Sequence, residues 1–284
     1  MEHDIQWFEM QNIALADALA EMPLHRVKAD TEIIYRSAIA LKLARQENAV
    51  NIAHKIACCL SQKIETNLDG TKFYLLDKIW RSSTIQTVSP GWIDFHFSQQ
   101  SIGEWLQALV SQPVCLNNSS QLTIDRTNVS ADIRNSASTF HILYTYARCS
   151  TLLRSADTDA IIRLAPFNLE LAADPRMIIA PQPLPWLIDN DRLKCQHSAE
   201  QALIVQIIDI LDELFRLGDR APIWKLAQAL SHKFHEFYAA CRIWGTVKST
   251  DLQLAQVRLG LVLITQKLLW LLLQWIGIST PVEL

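Results

Sequence analysis

Glycine is scarce in this chain of 284 residues: there are seven, at positions 70, 91, 103, 218, 245, 260 and 277. None of them falls in a Gly-x-G-x-x-Gly or comparable cluster, which excludes a glycine-rich phosphate-binding loop. Paired cysteines are missing as well. Cys58, Cys59, Cys115, Cys149, Cys195 and Cys241 form no Cys-x-x-Cys unit and no regular spacing. That scatter predicts reduced thiols in the core of a cytosolic protein, without structural disulfides. Net positive charge is missing too. The 26 Lys and Arg stand against 29 Asp and Glu, a balance of −3, and neither residues 1–110 nor residues 136–284 are net basic. Global electrostatics therefore lend no support to nucleic-acid binding, which draws its affinity from cations that displace condensed counterions. No Ser/His/Asp order and no isolated carboxylate pair stands out from ordinary helical surface charge. Asp4, Glu9 and Asp17 argue against a leader peptide in the first twenty residues.

Half of the residues are apolar, enough for a substantial core in one large or two ordinary domains. Leu, Ala and Gln in abundance favour helix over sheet. Residues 5–20, 31–46 and 51–64 place their apolar positions at helical spacing. The texture then changes: KFYLLDKIW at 72–80, STIQTV at 83–88 and WIDFHF at 92–97 are β-branched and aromatic, with Pro90-Gly91 as a turn. A small antiparallel sheet packed on helices follows, closed by a helix near 99–111. Residues 112–136 are polar, rich in Ser and Asn, and predict a linker.

Helical periodicity resumes over 137–156. A Pro-rich insert interrupts it at 157–198, where PQPLP has to be extended. Three long helices are predicted at 199–217, 221–243 and 250–276, with Pro222 just inside one start and Gly218, Gly245 and Gly277 just past the ends. The run at 260–278 is long enough to span a bilayer, but Gln266, Lys267 and Gln274 interrupt it, so a buried terminal helix is expected and no membrane partner.

Two groups of segments carry a family resemblance. YTYARCSTLLRSA at 144–156, FHEFYAACRIWG at 234–245 and GISTPVEL at 277–284 resemble, in that order, the C-terminal DALR anticodon-binding domain of arginyl-tRNA synthetases. YRSAIALKLAR at 35–45 and VSPGWIDFHFSQ at 88–99 are similar to the N-terminal additional domain of the same enzymes. The resemblance implies a mainly α protein: an N-terminal α+β domain with a small antiparallel sheet at 1–111, a linker at 112–136, and a DALR helical bundle at 137–284. It also implies where RNA would be touched. The 92–97 strand contacts the tRNA elbow in the family, which places Asp94, Phe97 and Gln99 there. The helices and C-terminal residues form the anticodon pocket, which points to Tyr144, Arg148, Phe237, Tyr238, Arg242 and Leu284. Asp94 stands where the family has an amide, and a carboxylate repels phosphate.

The family's His-Ile-Gly-His sequence and Lys-Met-Ser-Lys-Ser-like loop do not occur. The catalytic domain that carries them would have to fit between the two units, in about 25 residues. The expectation is therefore a non-catalytic, cytoplasmic, synthetase-like protein that binds tRNA without a cofactor. Two alternatives stand beside it: a protein–protein adaptor reusing the scaffold, or an accessory chain of a split synthetase. Trp186, in the Pro-rich insert, is the candidate exposed anchor for a protein partner, or else it caps its own loop. Arg148 and Arg242 either bind phosphate and base edges or pair with carboxylates between helices. Tyr144, Phe237 and Tyr238 either stack on bases or fill the core. His232, His235 and Glu236 share a helical face, but no further ligand accompanies them, so no metal is expected.

Overall fold

The structure, a computed structural model, describes residues 24–27, 33–44, 48–65, 79, 82–112, 137–166, 176–188 and 191–280. The helix expected at 5–20, nearly all of the strand expected at 72–80, the linker beyond Gln112 and Leu284 lie outside those residues. The chain divides into two compact units, Met1–Trp105 and Leu106–Leu284.

In the first unit, strands β1 (Leu24–Val27), β2 (Ile33–Ser37), β3 (Ser83–Val88) and β4 (Trp92–Phe97) form one antiparallel sheet in the order β1-β2-β4-β3. Helices α1 (Ile39–Leu43) and α2 (Ala49–Glu65) supply its apolar cover. Ile39, Ala40, Ile52, Ala53 and Ile56 from the helices meet Ile93 and Phe95 from β4 in one core cluster. Strands β3 and β4 lie where their alternating β-branched and aromatic residues place them.

The helix expected over 31–46 is corrected: its first half is β2, and helix is confined to α1. Ile33, Ile34 and Tyr35 pair with Phe97, His96 and Phe95 of β4, and β-branched and aromatic side chains gain more on a pleated surface than on a helix. Ser37 then accepts the Ile39 N–H on its hydroxyl at 3.2 Å, a local bond that marks the switch to helix. Gly91 is required at the β3–β4 turn. Its φ is +146°, and a Cβ there would lie 2.7 Å from the Ala49 Cβ at the start of α2.

Helix α3 (Gln99–Ser111) follows β4, and its last turns belong to the second unit. That unit is built from α4 (Ala137–Thr158), α5 (Ser198–Leu217), α6 (Ile223–Ala240), the short α7 (Thr246–Thr250) and α8 (Leu252–Trp275). Helix α8 is its centre. It is long and apolar enough to cross a membrane, yet 89% of its most apolar window is buried against the other helices.

Three polar residues of α8 have hydrogen-bonded partners inside the fold. Arg258 donates from Nε to Glu200 Oε1 at 2.6 Å, and Glu200 Oε2 accepts the His197 N–H that opens α5. Gln266 donates to Ser150 Oγ at 2.7 Å. The Lys267 ammonium donates to the carbonyls of Leu109, Val110 and Gln112 at 2.9, 2.7 and 2.7 Å. It thereby serves the orphan carbonyls at the end of α3; burial pulls its pKa down to about 8.

The Pro-rich insert carries two short antiparallel pairs, β5 (Arg163–Leu164) with β6 (Ile178–Ala180), and β7 (Leu187–Ile188) with β8 (Arg192–Leu193). Trp186 is corrected from an exposed anchor to a core residue, 3% exposed. Its indole N–H donates to Gln107 Oε1 at 3.0 Å, and the same oxygen accepts the Leu184 N–H at 2.9 Å. Gly260 of α8 makes room for it: a Cβ there would lie 2.7 Å from both the Trp186 ring and Leu184. An indole with its N–H satisfied is stable in a core, and only an absent side chain on α8 lets it in.

Candidate nucleic-acid interface

Phe140, His141, Tyr144, Thr145 and Arg148 recur at three- and four-residue steps, which puts them along one side of α4. His232, His235 and Tyr238 do the same on α6. The two stripes meet in a ladder of rings. Phe140 stacks on Tyr144 with centroids 6.3 Å apart, and Tyr144 stacks on His235 at 5.9 Å and 8°. His141 lies 4.5 Å from His235 and 5.0 Å from His232. The outer end of the ladder is open to solvent, with Phe140 61% and Tyr144 42% exposed.

Thr145 fixes the state of one histidine. Its hydroxyl donates to the His141 carbonyl at 2.8 Å and lies 3.0 Å from His235 Nε2. A hydroxyl has a single proton, so the second bond requires His235 Nε2 to be the donor. The neutral ring is thus protonated on Nε2, and Nδ1 is its basic nitrogen. Burial lowers the pKa of His235, and the charges of His141 and His232 lower it further. Burial and His232 likewise lower that of His141. Among the described residues no His, Cys, Asp or Glu group converges as metal ligands do.

Further along, the Arg148 guanidinium lies over the Tyr238 ring at 4.9 Å from its centroid and donates from Nη2 to the Tyr238 hydroxyl. Tyr238 in turn stacks on Phe234 at 6.2 Å and 6°. His141 Nε2 and Arg148 Nε, two turns apart on α4, are buried without a hydrogen-bond partner among the described residues. Exposed aromatic faces beside a held guanidinium suit unpaired bases and a phosphodiester, because stacking needs a π-face and phosphate needs donors.

Of the residues singled out from sequence, Tyr144, Arg148 and Tyr238 come together here. Phe237 does not: it is fully buried, so its ring is core and unavailable to a base. Arg242 is exposed just past the end of α6, and its carbonyl accepts from Arg258. In the first unit Asp94 is 4% exposed and is corrected from an RNA contact to half of an ion pair. Arg36, directly opposite on β2, donates from Nε and Nη2 to its two carboxylate oxygens, both at 2.7 Å. The carboxylate raises the Arg36 pKa further. Phe97 is half-buried, edge-on to Tyr35 at 5.7 Å, and Gln99 opens α3 half-buried. Phe140 and His141 are the residues that sequence reasoning missed. Their signal was present: Phe140-His141 precede Tyr144-Thr145 by four positions, a full helical turn.

The DALR anticodon binding domain family matches residues 142–284, half of the chain. The chain belongs to that family. The match thus takes in α5, α6, α7, α8 and α4 from Ile142 onward, with Tyr144, Arg148, His232, His235 and Tyr238, while Phe140 and His141 lie just ahead of it. Over 145 residues the chain is 32% identical to the arginine–tRNA ligase of Synechococcus sp. (strain JA-3-3Ab). That stretch is 50% of the chain and 21% of the ligase, so the chain spans about a fifth of this relative's length. No solved structure matches the chain.

Proposed function

We propose that the chain is a tRNA-binding protein that holds an unpaired RNA loop on the α4–α6 face and does not itself aminoacylate it. The carrying observation is the juxtaposition of the exposed Phe140–Tyr144 stack with Arg148 held over Tyr238. DALR family membership and the similarity to an arginine–tRNA ligase support tRNA as the RNA. The non-catalytic part rests on an internal feature. Polar residues 112–136 take the place between the two synthetase-like units where a catalytic domain would be inserted, and the ATP-binding motifs are absent from the sequence.

Binding on this face is local rather than global. With a net charge of −3, and Arg148 and Arg242 as the cations assigned to RNA, about two phosphates are neutralised. The logarithm of affinity should then fall with the logarithm of salt at a slope of roughly −2. Phe97 and Gln99 are retained as secondary elbow contacts, whereas Asp94 is committed to Arg36. A cytoplasmic location accompanies this reading. Gel-shift titration of the full chain with total tRNA across a salt series tests it; loss of all binding would favour the protein-adaptor alternative.

A further inference from the structure

The three histidines between α4 and α6 are more than packing for the ladder. The His141 ring meets both His232 and His235, and burial first, then the neighbouring imidazoles, disfavours a proton on His141 and His235. The charged groups on the elements packed around them are largely engaged elsewhere. On α6, Glu236 is held by Lys233 at 2.7 Å, and Lys225 lies two turns before His232. On α4 itself the nearest charge is Arg148, already engaged with Tyr238. On α8, Arg258 is bound to Glu200 and Lys267 to the carbonyls of Leu109, Val110 and Gln112. On β5, Arg163 sits beyond the opposite end of α4. On α5, which packs along α6, Glu200 holds Arg258 and Glu213 holds Arg216, and Asp209 and Asp212 are the other carboxylates.

Resting on the tRNA-binding reading, we propose that His141, His232 and His235 form a proton-dependent phosphodiester site, so that RNA binding takes up a proton and strengthens as the pH falls. His232 is exposed and offers the point of contact, with His141 and His235 half-buried behind it. A phosphodiester brings negative charge directly to the imidazoles, and an imidazolium donates from both nitrogens. The geometry has capacity to spare for this. His235 keeps Nδ1 as its basic nitrogen while Thr145 holds Nε2, and His141 Nε2 has no partner among the described residues. By linkage, a ligand that prefers the protonated cluster binds more tightly wherever that cluster is otherwise neutral.

The test is fluorescence anisotropy of labelled total tRNA with the full chain at constant ionic strength, from pH 7.8 to 5.8. It is joined by calorimetry in two buffers of different ionisation enthalpy, which counts protons. The expected result is an affinity gain that approaches tenfold per pH unit above the free cluster's midpoint, where uptake approaches one proton per complex. His232→Asn, at an exposed position that does not endanger folding, should flatten the pH dependence, and His235→Asn should do so in a chain shown folded by circular dichroism. Binding with the same affinity at every pH, or a pH slope that persists in both variants, would overturn the site and leave the tRNA reading standing. Absence of tRNA binding at every pH would overturn both.

Discussion

The Arg148 guanidinium sits 4.9 Å above the Tyr238 ring, tying α4 to α6 at the inner end of the ring ladder. Arginine packed on an aromatic is pre-positioned, with its stem fixed. Nε of Arg148 is buried and lacks a partner among the described residues, a cost that the fold bears.

Arg148→Met keeps the apolar stem and removes the charge. The expected outcome is roughly tenfold weaker tRNA binding, the loss of one charge-assisted contact, with the salt slope reduced by about 1. Filter binding at several salt concentrations reads both. An unchanged salt slope would mean that Arg148 only braces the helices.

Trp186 is expected to matter for stability rather than for partners. Trp186→Ala should lower the unfolding free energy by about 3–5 kcal/mol, as for other large-to-small changes in cores. Gly260→Ala should cost about 1–3 kcal/mol because the new methyl meets the indole. Urea unfolding followed by tryptophan fluorescence checks each.

Folding lowers the pKa of His141 and His235, while imidazoles in the unfolded chain titrate near 6.5. Below that pH the unfolded chain binds more protons than the folded one. The contribution of these two histidines is therefore flat above about pH 6.5 and declines as the pH falls below it. Urea midpoints of the wild type at pH 7.5 and 5.5 should show the decline, and His141→Asn should shrink it. Equal midpoints in the wild type would contradict the lowered pKa values.

The long helices of the second unit were legible because apolar periodicity and Pro/Gly punctuation agree there. The predicted span 199–217 differs from α5 by a single residue at its start. Periodicity failed over 31–46, where Ile33, Ile34 and Tyr35 fit either element and pairing with β4 decides for strand. Trp186 was misjudged because a Pro-rich stretch reads as surface; the cavity that receives it depends on Gly260, about 70 residues away. Asp94 looked like a departure from a polar RNA contact, yet its partner Arg36 could be recognised only after β2 was known to be a strand. In the candidate face, Tyr144, Arg148 and Tyr238 could be singled out one by one from the sequence. Their assembly with Phe140 and three histidines was not, since it needs the crossing of α4 and α6.

Gel shift of total tRNA by the full chain over a salt series tests the central claim most directly. The predicted result is a saturable complex at micromolar protein that weakens with salt at a slope of roughly −2 and is impaired by Arg148→Met. No complex at micromolar protein in low salt would contradict it.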